Sequence, residues 1–478
     1  MIDQGVLPFK YEISGERTGL TSKAGLPTFF ELGSALGMCE MFDRHVGLSG
    51  EQGWLDSEIL MGLVMLNLGG GSHVEDLEEL EQDEGLRDLM LHLSGHRKGK
   101  RRKREEKRRW RKGRTRAFPS RSAVNRYLKL FHSEAEESRR IESEELAFIP
   151  DATKGIEGLC KCNTKLVEAL QQVRPKSVAT LDQDATLVYA SKEEAKYCYT
   201  GSKAYQPLNT WWAEQQVVLH TEFRDGNVPA GHQQLRVFKE ALACLPQGVE
   251  KVRLRSDTAG YQHELLRYCA EGKDPRFGVI DYAICADVTP EFKAAVSGVR
   301  SGDWHRLRRT DADGTRWETK QEWAEVCFVP TEIGRKKHGP DYRYLAIREP
   351  LKAPELPGLE KTQRDLPFPT MQFGEKRYKV FGIVTNMATD GEELIAWQRE
   401  RCGKSEEFHS IMKEDLAGGT LPSGYFGANA AWWWISALSF NLLAAMKHLC
   451  LGSEWVTKRL KAIRFHIINL PGRVVRHA

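Results

Sequence analysis

Apolar positions recur at helical spacing through much of the first third of the chain. In SEILMGLVMLNL (57–68) they run for three turns and stop at Gly69-Gly70-Gly71; SHVEDLEELEQ then restarts, with Ser72 as a candidate N-cap. Helix, tight glycine corner and helix predict a helix-turn-helix-like unit within a helical stretch that covers residues 1–95. PSRSAVNRYLKLFH (119–132) predicts a helix capped by Ser120 or Ser122, and AEESRRIESEELAFI and GLCKCNTKLVEALQQV predict two more. The triple glycine lacks the Gly-Lys-Ser/Thr of a phosphate loop, which argues against nucleotide binding there.

At about residue 177 the period shortens. SVATLDQDATLVYAS is a β-rich run, and YQPLNTWWAEQQVVLHTEFRDG reads as two further strands. HQQLRVFKEALACL (helix), KVRLRSD (strand), YQHELLRYCAE (helix) and FGVIDYAICAD (strand) follow. Three strands, helix, strand, helix, strand is a mixed α/β order, and it matches a ribonuclease-H-like core. TRWETKQEWAEVCFVPT, DYRYLAIREP and KRYKVFGIVTN make 300–385 β-rich, and helix returns from about 391 to 450. The expected organisation is a helical region at 1–150, a helical linker at 151–176, the first part of an α/β core at 177–299, a β-strand insertion at 300–385, the last part of the core at 386–450 and a basic tail at 451–478. The most apolar run, AAWWWISALSFNLLAAM (430–446), contains Ser436, Ser439 and Asn441 and ends at Lys447-His448; it is short for a bilayer span and reads as a buried helix, so no membrane partner is expected.

Charge adds a partner class. The 478 residues carry a formal net charge of only +4, but residues 97–116, RKGKRRKREEKRRWRKGRTR, hold fourteen Lys/Arg and two Glu. That segment is +12, which leaves the remainder at −8. One intensely basic segment on a mildly acidic protein is the footprint of a polyanion partner, most often nucleic acid. Arg101, Arg102, Arg104, Arg108, Arg109, Arg111 and Lys112 are the candidate DNA-binding residues of this arm, against the plainer reading of a solubilising loop. The N-terminus has no apolar signal region, and the ten cysteines include one C-x-C (Cys160, Cys162) without a second pair at zinc-finger spacing. Reduced thiols in a cytoplasmic protein are expected.

The candidate chemistry is carboxylate chemistry. Asp184 closes TLDQD in the first strand of the core, and Asp257 closes KVRLRSD at the carboxyl end of the fourth. Ligands of open α/β sheets gather at carboxyl strand ends, and in this fold order the first and fourth strands are neighbours. Glu406, within RERCGKSEEFHSIMKED, is the candidate third carboxylate. Three clustered carboxylates repel one another without a cation. Mg²⁺ prefers hard oxygen ligands, and two such ions can serve both oxygens of a phosphodiester exchange. Glu406 and Lys413 are seven apart and share a helix face, with Arg401 and Lys404 upstream as candidate phosphate ligands. Each feature alone also fits a strand-end turn residue or an ion-paired helix.

The chain resembles bacterial insertion-sequence transposases of the DDE type, in particular the insertion-sequence family numbered thirteen-eighty. The resemblance covers nearly the whole chain. It is carried by LVMLNLGGGSHVEDLEELEQDEGL, LDQDATLVYASKEEAKYCYTGSKAYQPL, RLRSDTAG, GIVTNMATDGEELIAWQRERCGKSEEFHSIMKEDLAGGTLPSG and FGANAAWWWISALSFNLL. Glu406 and Lys413 match the Glu-x6-Lys part of the Tyr-x2-Arg-x3-Glu-x6-Lys signature of related transposases. Arg401 looks like its arginine with four intervening residues in place of three, and Trp397 stands near its tyrosine.

The resemblance implies a DDE triad of Asp184, Asp257 and Glu406 holding two Mg²⁺ ions (Mn²⁺ also fits), with Asp182 and Glu407 as alternatives. It implies cleavage and strand transfer at the inverted-repeat ends of an insertion sequence, on double-stranded DNA, by a homodimer or larger synaptic complex in the bacterial cytoplasm at the nucleoid. It also implies a β insertion between the second aspartate and the glutamate. Relatives usually continue past LPGRVVRHA with a basic tail containing Trp and Pro, which leaves a truncated copy and an intact one as alternatives. The competing readings are a catalytically inactive DNA-binding derivative and a hydrolytic nuclease.

Overall fold

The structure is a computed structural model that describes residues 19–95, 115–143, 147–310, 313–330, 342–351 and 366–475. Its framework is a ten-stranded mixed sheet. In chain order the strands are β1 (Val178–Ala185), β2 (Leu208–Trp212), β3 (Val217–Glu222), β4 (Lys251–Ser256), β5 (Asp281–Ala286), β6 (His305–Thr310), β7 (Arg316–Val326), β8 (Arg343–Pro350), β9 (Thr370–Phe373) and β10 (Lys376–Thr385). Across the sheet the order is β6-β7-β8-β10-β5-β4-β1-β2-β3, with β9 paired to β10. Strand β2 runs antiparallel to both of its neighbours, β1 and β3, whereas β1, β4 and β5 run parallel.

The residues of 300–385 that form strands build no layer of their own. Strand β10 pairs antiparallel with β5, and β8, β7 and β6 continue outward. The β-rich segment therefore widens the core sheet. A small three-stranded sheet (Val188–Tyr189, Lys196–Tyr197, Lys203–Tyr205), absent from the sequence reading, lies between β1 and β2 in the chain.

Alternation along the strands assigns the two faces. Leu181, Leu254 and Ile284 share a core with Phe238 and Leu242 of α3 (Gln234–Ala243) and Leu265 of α4 (His263–Ala270), the two crossover helices. On the opposite face Ala283, Leu345 and Ile383 pack on Leu394 and Ile395 of α5 (Gly391–Arg399). The acidic positions of β1 share this second face.

The N-terminal helices do not form a separate core. Helix α1 (Asp56–Gly69) is buried along its full length and ends at Gly70, whose φ of 103° suits the left-handed turn. It packs with the helix Met38–His45, which in turn meets α2 (Lys154–Val173, capped by the Thr153 side chain), and with α7 (Phe426–Met446). Every residue of α7 is buried, and it touches α1, α2 and β3 alike. This helix is long and apolar enough to cross a membrane by composition, but it forms the centre of the molecule. The 119–132 helix begins at Arg121 under a Ser120 cap, as one of the two expected caps. Ser72 is not a cap: its N–H and that of His73 are taken by the Asp76 carboxylate, and a 3₁₀ turn precedes the next helix at Leu77.

The segment after α7 folds back on the protein. Gly472–Arg473 pairs with Leu20–Thr21, and Arg464 donates to the carbonyls of Leu68, Asn67 and Asp415. Asp415, fully buried, is met by Arg459 at 3.2 Å.

Candidate active site

Parallel pairing of β1 with β4 puts Gln183 beside Ser256, so Asp184 and Asp257 leave adjacent strands one step further on. Asp257 accepts the N–H of Ala259 at 3.0 Å and starts a 3₁₀ turn, which bends the chain away behind its carboxylate. The third carboxylate arrives from the helical face. Helix α5 ends at Arg399, Gly403 turns at φ 79°, and α6 (Lys404–Ser410) begins. A side chain at Gly403 would be strained in that conformation. Glu406 accepts the Gly403 N–H at 2.7 Å, a reach-back that fixes the first turn of α6.

Asp184, Asp257 and Glu406 line one open cleft of about 520 Å³, together with Arg401, Lys413 and Tyr199. Burial pushes the Asp184 carboxyl up to about 7; Arg401 opposes this, while the charges of Asp257 and Glu406 add to it. Arg401 Nη2 lies 3.2 Å from Asp184 Oδ2, and Arg401 is only 8% exposed. The guanidinium expected to face phosphate is therefore engaged with a carboxylate, although its buried Nε has no hydrogen-bond partner among the described residues.

Lys413 reaches across the cleft to Thr186 Oγ1 at 3.0 Å, and burial lowers its ammonium pKa. The shared helix face assumed for Glu406 and Lys413 is altered: Ile411–Asp415 is a π-turn, which changes the rotation between them while leaving both on the cleft. Lys404 is exposed and does not line it. Arg101, Arg102, Arg104, Arg108, Arg109, Arg111 and Lys112 lie outside the described residues. Arg116, the last residue of the basic segment, is anchored on Glu78 at 2.6 Å.

The alternatives separate by environment. Asp182 shares a strand face with Asp184, but it is fully buried and clasped by Arg255, Nε at 2.6 Å and Nη2 at 3.0 Å. Arg255 also donates to the Trp397 carbonyl and to Glu400, and stacks on the Trp397 ring at 5.2 Å. Trp397 thus anchors the end of α5 to the sheet. Glu407 is exposed, does not line the cleft, and acts electrostatically on Lys447.

His409, Thr186, Tyr189 and Tyr199 line the cleft without having been singled out as site residues from the sequence. His409 meets Asn209 Nδ2 at 3.1 Å through its Nε2, and Asn209 stands opposite Asp184 in the β1–β2 pair. Burial and the charges of Lys413 and Arg401 push the imidazole down to about 3. Asn209 in turn accepts from Thr221, which accepts from the Trp433 indole of α7. This chain of bonds fastens α6 and α7 to β2 and β3, and β2 is the neighbour of the strand that carries Asp184. Thr186, Tyr189 and Tyr199 form the opposite wall, and both tyrosines are exposed, at 58% and 82%. The one available signal was the local Asp-x-Thr and the cluster of tyrosines after it.

The donor set suits a divalent metal ion: three carboxylates, all hard oxygen ligands, carry more negative charge than Arg401 offsets. The family comparison agrees with that chemistry, since the model of the transposase DDE domain, group 1, matches residues 8–478. The chain belongs to this DDE transposase family. Transposases of this kind generally use divalent metal ions. Among solved structures, the chain is similar to the piggyBac transposase synaptic complex with hairpin DNA, determined by cryo-EM: identity is 10%, TM-score 0.45, and the match covers 92% of this chain and 79% of that one. No match is found among curated proteins. The resemblance to the insertion-sequence family numbered thirteen-eighty is a finer assignment than the DDE family match itself.

Proposed function

We propose that this DDE transposase binds the terminal inverted repeats of an insertion sequence and catalyses Mg²⁺-dependent strand cleavage and strand transfer there. The observation that carries the reading is the meeting of Asp184, Asp257 and Glu406, from two strand ends and a helix, in one cleft. The strand order 3-2-1-4-5 of the first five strands, antiparallel then parallel, supports a ribonuclease-H-like core with β6–β10 as the insertion. The finer family, the one numbered thirteen-eighty, is part of the same proposal.

Asp184, Asp257 and Glu406 are the residues that would hold two Mg²⁺ ions, with Mn²⁺ as a substitute. When bound, such a pair supplies activation of the attacking oxygen and stabilisation of the leaving oxygen. The chain's own groups do the rest. Arg401 holds Asp184 in place and opposes the burial that raises its carboxyl pKa. Lys413, partly desolvated, presents a cation to the DNA backbone from the other wall. The basic arm at 97–116 supplies sequence-independent affinity for double-stranded DNA, and two copies pair two ends in a synaptic complex.

The deciding experiment incubates the full chain, beside Asp257→Ala, with Mg²⁺ and DNA carrying the element's end. Metal-dependent cleavage and joined products, lost in the variant while DNA binding persists, are expected. Tight binding with neither protein cutting would replace the reading with a DNA-binding derivative. Cleavage without joined products would replace it with a hydrolytic nuclease.

A further inference from the structure

A second cavity, of about 690 Å³, shares no lining residue with the carboxylate cleft. On its wall three elements bring soft ligands together. Cys160 comes from α2, His220 from the edge strand β3, and Cys244 from the residue that ends α3. Their ligand atoms all lie within 4.8 Å of one another, and Cys160 Sγ is 3.7 Å from His220 Nδ1. The other imidazole nitrogen, Nε2, is 3.2 Å from Glu240 Oε2, and Glu240 is itself held by Arg236 at 2.7 Å. His220 and Cys244 are buried, and the Trp434 edge packs against the imidazole.

We propose that Cys160, Cys244 and His220 bind a zinc ion through two thiolates and Nδ1, with Glu240 orienting the imidazole and the fourth coordination position open to the cavity. Zinc–sulfur bonds of about 2.3 Å and zinc–nitrogen bonds of about 2.0 Å put tetrahedral ligand atoms roughly 3.5–3.8 Å apart. The Cys160–His220 separation already has that length, so ion entry needs only a small inward shift of Cys244. Two thiolates and an imidazole select zinc over magnesium, the reverse of the oxygen-only cleft. A carboxylate on the far nitrogen of a ligating histidine is the recurrent way to fix its tautomer and raise its basicity. The pairing also separates the C-x-C: Cys160 faces this cluster, whereas Cys162 is buried in the core that holds α1. The site ties the edge strand of the sheet to two helices. It stands independently of the proposed transposition chemistry.

The test uses the full-length protein, purified without chelator or metal-binding tag from zinc-supplemented medium. Elemental analysis is expected to find stoichiometric zinc that Cys160→Ser and Cys244→Ser lose, while Cys162→Ser and Asp184→Asn keep it. Competition with a chromophoric chelator is expected to show affinity lowered about 10–100-fold in Glu240→Gln. The cobalt-loaded wild-type protein should show thiolate charge-transfer and tetrahedral ligand-field bands. Should the cysteine variants not fold, the wild-type protein alone decides: chelation should lower its melting temperature, and zinc but not Mg²⁺ should restore it. Substoichiometric zinc at saturating free metal, zinc retained without both thiols, no chelation effect on melting, or a Cys160–Cys244 disulfide in the purified protein would each overturn the assignment.

Discussion

Arg401 Nη2 lies 3.2 Å from Asp184 Oδ2 inside the cleft, an ion pair that sets one cation against three converging carboxylates. The pair favours the ionised form of Asp184 that accepts a metal, since Arg401 is the main influence opposing the burial and neighbouring negative charges that raise its carboxyl to about 7. Arg401→Gln should therefore raise the pH at which Mg²⁺ binds, and should weaken Mg²⁺ binding at neutral pH. Isothermal titration with Mg²⁺ across a pH series measures this; an unchanged profile would remove Arg401 from the metal-binding role.

Asp182 and Asp184, two residues apart on β1, should respond in opposite ways to the same substitution. Asp182→Asn leaves the buried Arg255 guanidinium with the exposed Glu400 carboxylate as its remaining counter-charge, which costs about 3 kcal/mol. Asp184→Asn removes one of three repelling carboxylates, so the fold should be retained or slightly stabilised while Mg²⁺-dependent cleavage is lost. Chemical denaturation of both variants, beside a cleavage assay, checks the contrast.

Glu406 and Glu407 offer a similar pair. Glu406→Gln should abolish cleavage and leave secondary structure intact. Glu407→Gln lies on an exposed face and should stay within about 0.5 kcal/mol of wild type in stability, with cleavage retained. Gel-based cleavage assays and thermal melts on the two variants separate them.

The two titrating groups of the cleft predict opposite pH slopes in the metal-free protein. Asp184, raised to about 7, keeps its proton in the folded state while the unfolded chain releases it from about pH 4 upward. Its contribution to stability therefore falls as pH rises from about 4 to 7. His409, pushed down to about 3, stays neutral when folded and takes up a proton on unfolding below its ordinary value near 6.5. Its contribution falls as pH drops from about 6.5 to 3. Melting temperatures for Asp184→Asn should lose the first slope, and those for His409→Gln the second. Mg²⁺ should raise the wild-type melting temperature most above pH 7.

Much of the cleft was legible because it rests on strand register. A strand-ending aspartate in β1 and another in β4 become neighbours once those strands pair in parallel, and the element order alone predicts the pairing. The strand-rich text of 300–385 was legible as strands, but its edge-to-edge union with β5 depends on long-range pairing that no local pattern encodes. Two-residue strands such as Val188–Tyr189 carry too few alternations to show a period. The Arg401–Asp184 and Arg255–Asp182 bonds were illegible for a different reason: one-dimensional spacing says nothing about which cation crosses to which carboxylate. The π-turn at Ile411–Asp415 likewise escapes a reading that assumes 3.6 residues per turn.

The central position of α7 has a consequence for synthesis. The apolar faces of α1 and α2 are completed by a helix that the ribosome makes about 350 residues after α1, so at about 5–20 residues per second they wait roughly 20–70 s for their partner. During that interval a nascent chain exposes surface that chaperones recognise, and a product stopped before residue 426 would keep exposing it. Interrupted copies of this gene should thus yield degraded polypeptide in place of a small, freely folding DNA-binding fragment.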